Sequence, residues 1–199
     1  IYAKKTKNWE ISKNIDNWII NFIKDFQSII IRQIDKSKKI IFLRHGKTKM
    51  NDGTFLGQNR NPDINISQTK FKRKLQCNKI YSSPLKRSDQ TAKLISKSKI
   101  IHDKNLLEIN YGKIEGLTID KLYTKFPKLI KNWKNGEDIK FPYGESQGDV
   151  ARRLNIFLKK IIRDNSKKIC VVTHNVVLRC LIGIYFKIER KFWYKINIP

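Results

Sequence analysis

Apolar residues along this chain follow two rhythms. From Ile15 to Ile34 they recur every three or four positions (Ile15, Trp18, Ile19, Phe22, Ile23, Phe26, Ile29, Ile30), which predicts an amphipathic helix. A polar break from Asp35 to Lys39 follows. A compact run, Ile40 to Leu43, then reads as a strand that stops at Arg44-His45-Gly46. Downstream the pattern predicts a helix over Ser67–Gln76 with Ser67 as its N-cap, then a strand over Lys79–Ser82. A helix over Leu85–Ser96, opened by Pro84, and a short strand over Lys99–His102 come next. Between Asn105 and Gly144 the rhythm loosens into short helices near Ile119–Phe126 and Leu129–Trp133. Pro127, Gly136 and Pro142 punctuate this stretch, which suits a lid over a site more than a core element. A longer helix from Ser146 to about Asp164 carries Val150, Leu154, Phe157, Leu158 and Ile161 on one face. A β-branched strand, Lys168–Thr173, and a helix, Val176–Phe186, complete the pattern.

Strands that alternate with helices predict an α/β domain with a mainly parallel sheet. In open sheets of this kind, sites form beyond the carboxyl ends of the strands. Two expected strands run into histidine there, Ile40–Leu43 at His45 and Ile169–Thr173 at His174. The chain has three histidines, so two of them fall where chemistry is expected.

Composition narrows the choice of partner. The net charge of +26 comes from 33 Lys and 10 Arg, beside 32 Ile and only three Ala. That joint excess has the look of nucleotide bias. The lysines are scattered, not gathered in an aromatic-interleaved block, so no nucleic-acid partner is expected. The basic surface still draws phosphate-bearing molecules at long range, more strongly at low salt. The 199 residues suffice for one well-buried domain. Val176–Phe186 is too short, and too interrupted by Arg179, to span a bilayer, so no membrane partner is expected. Cys77, Cys170 and Cys180 show no CxxC pair or metal spacing, which predicts reduced thiols in a cytoplasmic protein, with Cys170 as a small core residue.

Five ordered segments then carry a resemblance. They are Arg44-His45-Gly46-Lys47-Thr48; Ser82-Ser83-Pro84-Leu85-Lys86-Arg87-Ser88-Asp89-Gln90-Thr91-Ala92; Leu106-Leu107-Glu108 with Gly112-Lys113-Ile114-Glu115-Gly116; Gly144-Glu145-Ser146 leading into Arg152; and Thr173-His174. Together they resemble the histidine phosphatase superfamily, from about Lys39 to the C-terminus. That superfamily includes phosphoglycerate mutases, the bisphosphatase domain acting on fructose 2,6-bisphosphate, and α-ribazole phosphatases. The resemblance implies a three-layer α/β/α fold, phosphoglycerate mutase-like, over residues 39–199. Residues 1–38 are left as a helical extension or the tail of an upstream domain, and Tyr194–Pro199 reads as the approach to a further strand, as if the chain were a fragment.

The resemblance also implies a chemistry. A phosphate monoester carries about two negative charges near neutral pH, so its site must gather donors. Arg44 and Arg87 each offer a planar fork of N–H groups, and His174, when protonated, a further positive donor. His45 is the implied nucleophile, attacking phosphorus through a neutral ring nitrogen while its other nitrogen donates to a backbone carbonyl. Glu108 is the implied general acid, with a pKa raised by its surroundings. Thr48, Asn51 and Gln58 fall where supporting phosphate and substrate contacts are implied. Asn175 stands where the family has a small residue, and either narrows the pocket or adds a hydrogen bond. No cofactor or metal is called for, because arginines and a histidine supply the positive charge. Glu115 and Glu145 read as scaffold, and His102 as structural. Ser83 lacks the G-x-S-x-G setting of a hydrolase nucleophile.

The expected function is hydrolysis of a small phosphorylated metabolite. Two rivals stay open: a mutase-type phosphotransferase, and a non-catalytic module that binds phosphate or phosphoprotein. Mutases place Arg-His-Tyr directly after the acid and a longer insertion before Gly-Glu-Ser. Here Ile109-Asn110-Tyr111 follows Glu108, and a short stretch leads to Gly144, which favours the compact phosphatase branch. Lys47 and Arg60 replace residues that are often acidic in the family, and both bear on which substrate is taken.

Overall fold

In a computed structural model, residues 38–69 and 74–198 are described. The helix expected over Ile15–Ile34 lies outside them. Four strands form one parallel sheet: β1 (Lys39–Arg44), β2 (Lys79–Ser82), β3 (Ile100–His102) and β4 (Lys168–Thr173), in the order β1-β4-β2-β3. Among the described residues five α-helices accompany it: α1 (Lys86–Ile95), α2 (Ile119–Lys125), α3 (Pro127–Lys134), α4 (Gln147–Ile162) and α5 (Asn175–Tyr185). The β1 and β4 register pairs Lys39 with Lys168 and ends by pairing Arg44 with Thr173.

Period-two alternation in the strands divides the interior between the two sheet faces. Ile40, Phe42, Tyr81, Ile169 and Val171 join the larger cluster, together with Leu154, Phe157 and Ile161 of α4 and Val177 and Leu181 of α5. Ile80, Cys170 and Val172 point the other way, onto Ala92 and Ile95 of α1. Helices therefore cover both faces, as the sequence pattern predicts. Helix α4 starts where expected because Ser146 and Asp149 form a reciprocal capping box, each side chain satisfying the other's backbone N–H.

Four expectations need correction. In place of a helix over Ser67–Gln76, Ile66–Gln68 forms one 3₁₀ turn capped by Asn65, Thr69 is extended, and residues 74–78 run as loop. Residues 70–73 lie outside the described residues. The stretch from Asn105 to Gly144 is a core element as much as a cover, because Ile114, Leu122, Ile130 and Phe141 are buried in the main cluster. Periodicity was weak there because each short helix gives the core a single residue. The resemblance ran the Gly144-Glu145-Ser146 segment into Arg152, but Arg152 is exposed and pairs with Asp149, while its neighbour Arg153 turns inward. Cys170 is a buried core residue, but it is not a reduced thiol. It is disulfide-bonded to Cys77, 93 positions earlier, and Cys180 alone is free. The loop before β2 brings Cys77 against the α1 face, a proximity that no sequence spacing announces. The ground for expecting a reducing compartment is thereby removed. Among the described residues no helix is long and apolar enough to cross a membrane.

Candidate active site

The parallel ladder continues one residue past the strand pairs. The His45 N–H donates to the Thr173 carbonyl and the Ser83 N–H to the Val172 carbonyl, both at 3.0 Å. His45, Ser83 and His174 therefore leave three neighbouring strands at the same carboxyl edge. The His45 and His174 rings stand 5.0 Å apart, centroid to centroid.

His45 is held in one tautomer. Its Nδ1 lies 2.7 Å from the Gly46 carbonyl, which can only accept, so Nδ1 carries the proton. Nε2 then bears the lone pair, and the Arg87 Nε–H donates to it at 3.3 Å. Burial, aided by the charges of Arg87 and Arg44, lowers the His45 pKa to about 3. The ring is neutral across ordinary pH with one nitrogen able to attack. Gly46 lies so near Thr69 that a Cβ there would come within 2.5 Å of the threonine methyl, and its N–H donates to Thr91 Oγ1 at 2.9 Å.

Arg87, in the first turn of α1, has no solvent exposure. A cation beside the positive end of a helix dipole is poorly placed for stability. Its contacts are neutral: His45, the Gly57 carbonyl at 2.7 Å and the Arg60 carbonyl at 3.1 Å. Burial pushes its pKa down to about 10, opposed by the more distant Glu108 and Glu115. A buried guanidinium with no directly paired carboxylate costs several kcal/mol to maintain, at about the scale of an unpaired buried charge. Such a group fits the binding of an anion. Gly57 can offer its carbonyl because it adopts φ +61° and because Glu115 packs where a Cβ would lie. Arg44 is half-buried, and its Nη1 donates to the Ile198 carbonyl at 3.1 Å.

His174 is fully buried. Its Nε2 meets Ser83 Oγ at 2.8 Å and Ser88 Oγ at 3.2 Å. Burial first, then the neighbouring His45, Arg87, Arg153 and Arg44, lower its pKa well below the ordinary histidine value. His174 is a positive donor only when protonated, and burial and the surrounding charges disfavour that form in this structure. Its Nδ1 has no partner among the described residues, nor has Oδ1 of Asn175, the first residue of α5. With Ser83 donating to Nε2, Nδ1 would carry the proton of a neutral ring.

Glu108 hangs from the loop after the 3₁₀ turn Lys104–Leu106. One carboxylate oxygen, Oε1, accepts the N–H groups of Ile109 at 2.9 Å and Val176 at 3.2 Å. No group among the described residues meets Oε2. Burial raises the Glu108 pKa despite those two donors and the charges of Arg87 and Arg153. The carboxyl thus holds a proton to higher pH than an ordinary glutamate does. The loop is tied to the sheet edge by Thr173 Oγ1, which donates to the Leu106 carbonyl at 2.8 Å.

The remaining expected residues divide. Gln58 belongs to the acid loop: its Nε2 donates to the Glu108 carbonyl at 2.6 Å and to Glu145 Oε2 at 3.3 Å. Asn175 is next to His174. Thr48 and Asn51 instead bind each other, the Thr48 N–H and hydroxyl both donating to Asn51 Oδ1 at 2.6 and 2.9 Å. In this structure they brace a turn. Glu115 accepts the N–H groups of Gln58, Asn59 and Arg60, and Glu145 that of Asn110, the scaffold roles expected of them. His102 is half-exposed and pairs with Asp89 at 2.8 Å.

Sequence reasoning missed Arg153. Its guanidinium donates to the carbonyls of Asn105, Leu107 and Glu108 at 2.9, 2.6 and 3.0 Å and pairs with Glu145 at 2.9 Å. A signal existed: Arg153 lies three residues after Val150 and four before Phe157, on the buried stripe of α4, whereas Arg152 does not. Arg179 shares the N-terminal part of α5 with Val176, and its Nε donates to the Ile196 carbonyl at 2.8 Å. Arg44, Arg87, His174 and a neutral His45 are thus gathered at one sheet edge, with a carboxyl of raised pKa at the side.

Comparison with known proteins agrees with this arrangement. The family model for the histidine phosphatase superfamily (branch 1) matches residues 40–199, so the chain belongs to that superfamily. Phosphoserine phosphatase 1 of Hydrogenobacter thermophilus is 28% identical over 169 residues, covering 78% of this chain and 80% of the relative. A probable phosphoglycerate mutase of Yersinia pestis is 31% identical over 157 residues, covering 73% of each. Among solved structures, a putative α-ribazole-5'-P phosphatase of Escherichia coli superposes with a TM-score of 0.68 at 18% identity, covering 80% of this chain and 85% of that one. YhfR of Bacillus stearothermophilus does so at 0.67 and 21%, covering 79% and 84%. These structural likenesses establish a phosphoglycerate mutase-like α/β fold.

Proposed function

We propose, from membership of the histidine phosphatase superfamily and the geometry above, that the chain hydrolyses phosphate monoesters through a phosphohistidine on His45. The observation that carries the reading is Arg87, a fully buried cation whose direct partners are a neutral histidine nitrogen and two carbonyls. Arg44, Arg87 and Nδ1 of His174 would hold the three non-bridging phosphate oxygens and stabilise charge as the phosphoryl group moves. Nε2 of His45 attacks phosphorus in line, forming the P–N bond as the P–O bond to the alcohol breaks. The proton on Glu108 Oε2 passes to the departing alkoxide. A water then attacks phosphorus, gives its proton back to Glu108 and releases orthophosphate, which restores His45.

The positive charge in these steps comes from arginine, so turnover of an aryl phosphate should persist in EDTA and vanish in His45→Ala. Undiminished activity in that variant would sink the mechanism. A mutase reading is kept by one observation, the 31% identity to a probable phosphoglycerate mutase. Incubation with 3-phosphoglycerate and its bisphosphate activator separates the two: the hydrolase yields orthophosphate, the mutase 2-phosphoglycerate.

A further inference from the structure

The sheet places the backbone of Arg44 but does not aim its side chain. β1 stands first in the order β1-β4-β2-β3, so among the described residues it has a strand neighbour only on the β4 side. An arginine in such a position has many rotamers open to it, and their loss opposes the binding of an anion. One partner limits that freedom here. The Arg44 Nη1 group donates to the Ile198 carbonyl at 3.1 Å, across 154 positions of chain.

Ile198 belongs to a segment that is itself held in place. Trp193, in the 3₁₀ turn Arg190–Lys195, is buried, and its indole N–H donates to the Ile188 carbonyl at 2.8 Å. Gly183 of α5 makes room for that ring, since a Cβ there would come within 2.1 Å of the indole nitrogen. Beyond the turn Ile196 is extended, and in extended backbone carbonyls two residues apart point the same way. The Ile198 side chain is buried in the main cluster, and that of Ile196 packs against it. Their carbonyls meet two arginines: that of Ile198 accepts from Arg44, and that of Ile196 from the Arg179 Nε–H at 2.8 Å. Burial lowers the Arg44 pKa, Glu108 opposes this and the charge of Arg179 adds to it, so the two cations are neighbours. Like charges repel, and each of these is held by a carbonyl of the same segment.

We propose that residues 193–198 act as a strap that aims Arg44 at the phosphate, and that Arg179 is a positioning residue, which secures the strap through Ile196 and touches no substrate. The proposal rests on the phosphatase reading above, in which Arg44 holds phosphate. With Nη1 on a carbonyl the plane of the guanidinium is fixed, and its remaining N–H groups are left for phosphate oxygens. Ordering the side chain before the anion arrives removes that cost from binding.

The test is the dissociation constant of inorganic phosphate, measured by calorimetry on the full chain across a cycle of variants. Arg179→Met should weaken binding by about 3- to 10-fold, the scale of one rotamer-rich side chain left unordered. Ile198→Ala, which loosens the strap without changing any charge, should weaken it by a similar or smaller factor. In an Arg44→Met background each should add less than about 2-fold, because the side chain that the strap aims is gone. A loss of full size in that background would overturn the proposal, since Arg179 would then act on the anion directly or through its charge. So would an unchanged constant in both Arg179→Met and Ile198→Ala. Should Arg179→Met not fold, Ile198→Ala decides by the same comparison. Turnover of an aryl phosphate is followed in parallel. If the wild-type chain binds phosphate but turns over no ester, the phosphatase reading falls while the cycle still decides the strap. Absence of phosphate binding overturns both.

Discussion

Arg44, His45 and His174 sit at the ends of β1 and β4, whose six-residue register fixes them relative to one another, with Arg87 supplied by the helix after β2. Glu108, Gln58 and Arg153 are held differently. They reach the site from two loops and a helix flank and are joined by side chain to backbone hydrogen bonds. On the proposed mechanism, the phosphate half would be positioned by the sheet, and the leaving-group half by a hydrogen-bond network that bridges loops. A sheet register is common to any chain with this fold, whereas loops tolerate substitution. On that proposal, the two halves could vary independently.

Breaking the sheet-held half should have the largest effect. His45→Ala should lower kcat on an aryl phosphate by at least about 10⁴-fold, as loss of a covalent nucleophile does. Because its pKa is about 3, His45 stays neutral and reactive into mildly acidic solution. The acid limb of kcat/KM should accordingly not follow an ordinary histidine value near 6.5.

Removing the acid should cost less, about 10²- to 10⁴-fold in kcat for an alkyl phosphate in Glu108→Gln. The penalty should shrink on an aryl phosphate, whose leaving group needs little protonation. The sign of the pH effect follows from burial: Glu108 is competent while protonated, so activity declines as pH rises through its elevated pKa. Glu108→Gln should abolish that alkaline limb, and an unchanged profile would move the acid elsewhere.

Arg153 sharpens the comparison, because it touches the acid loop and none of the phosphate-holding side chains. Arg153→Met should lower kcat by about 10-fold and shift the alkaline limb, with little change in inhibition by free phosphate. It should also destabilise the fold by roughly 1–3 kcal/mol through the unmet carbonyls and Glu145. A loss expressed mainly in phosphate affinity would contradict the division into halves. Smallest of all, Ser146→Ala should cost about 1 kcal/mol in thermal or denaturant unfolding, through loss of the capping box, with kcat little altered.

The same division governs what the sequence makes legible. β1 and β4 stand out as short apolar runs with β-branched residues, and the pattern of strands and helices by itself directs attention to His45 and His174 at their carboxyl ends. Ser146 announces the start of α4. The loop network has no period, so Glu108 is found through its motif and Arg153 is passed over for Arg152. The Cys77–Cys170 bond escapes for a related reason: it joins a loop to a central strand across 93 positions, a contact that only the fold creates. Thr48 and Asn51 are found by motif position alone, and their side chains hydrogen-bond to each other.

The central claim is that His45 carries the phosphoryl group during turnover. The direct measurement is rapid acid-free quenching during hydrolysis of a ³²P-labelled monoester, followed by peptide mapping under alkaline conditions that preserve phosphohistidine. Label on the peptide containing His45, absent in His45→Ala and longer-lived in Glu108→Gln, is the result expected. Label on His174 or on a serine, or turnover without any labelled protein, would contradict it.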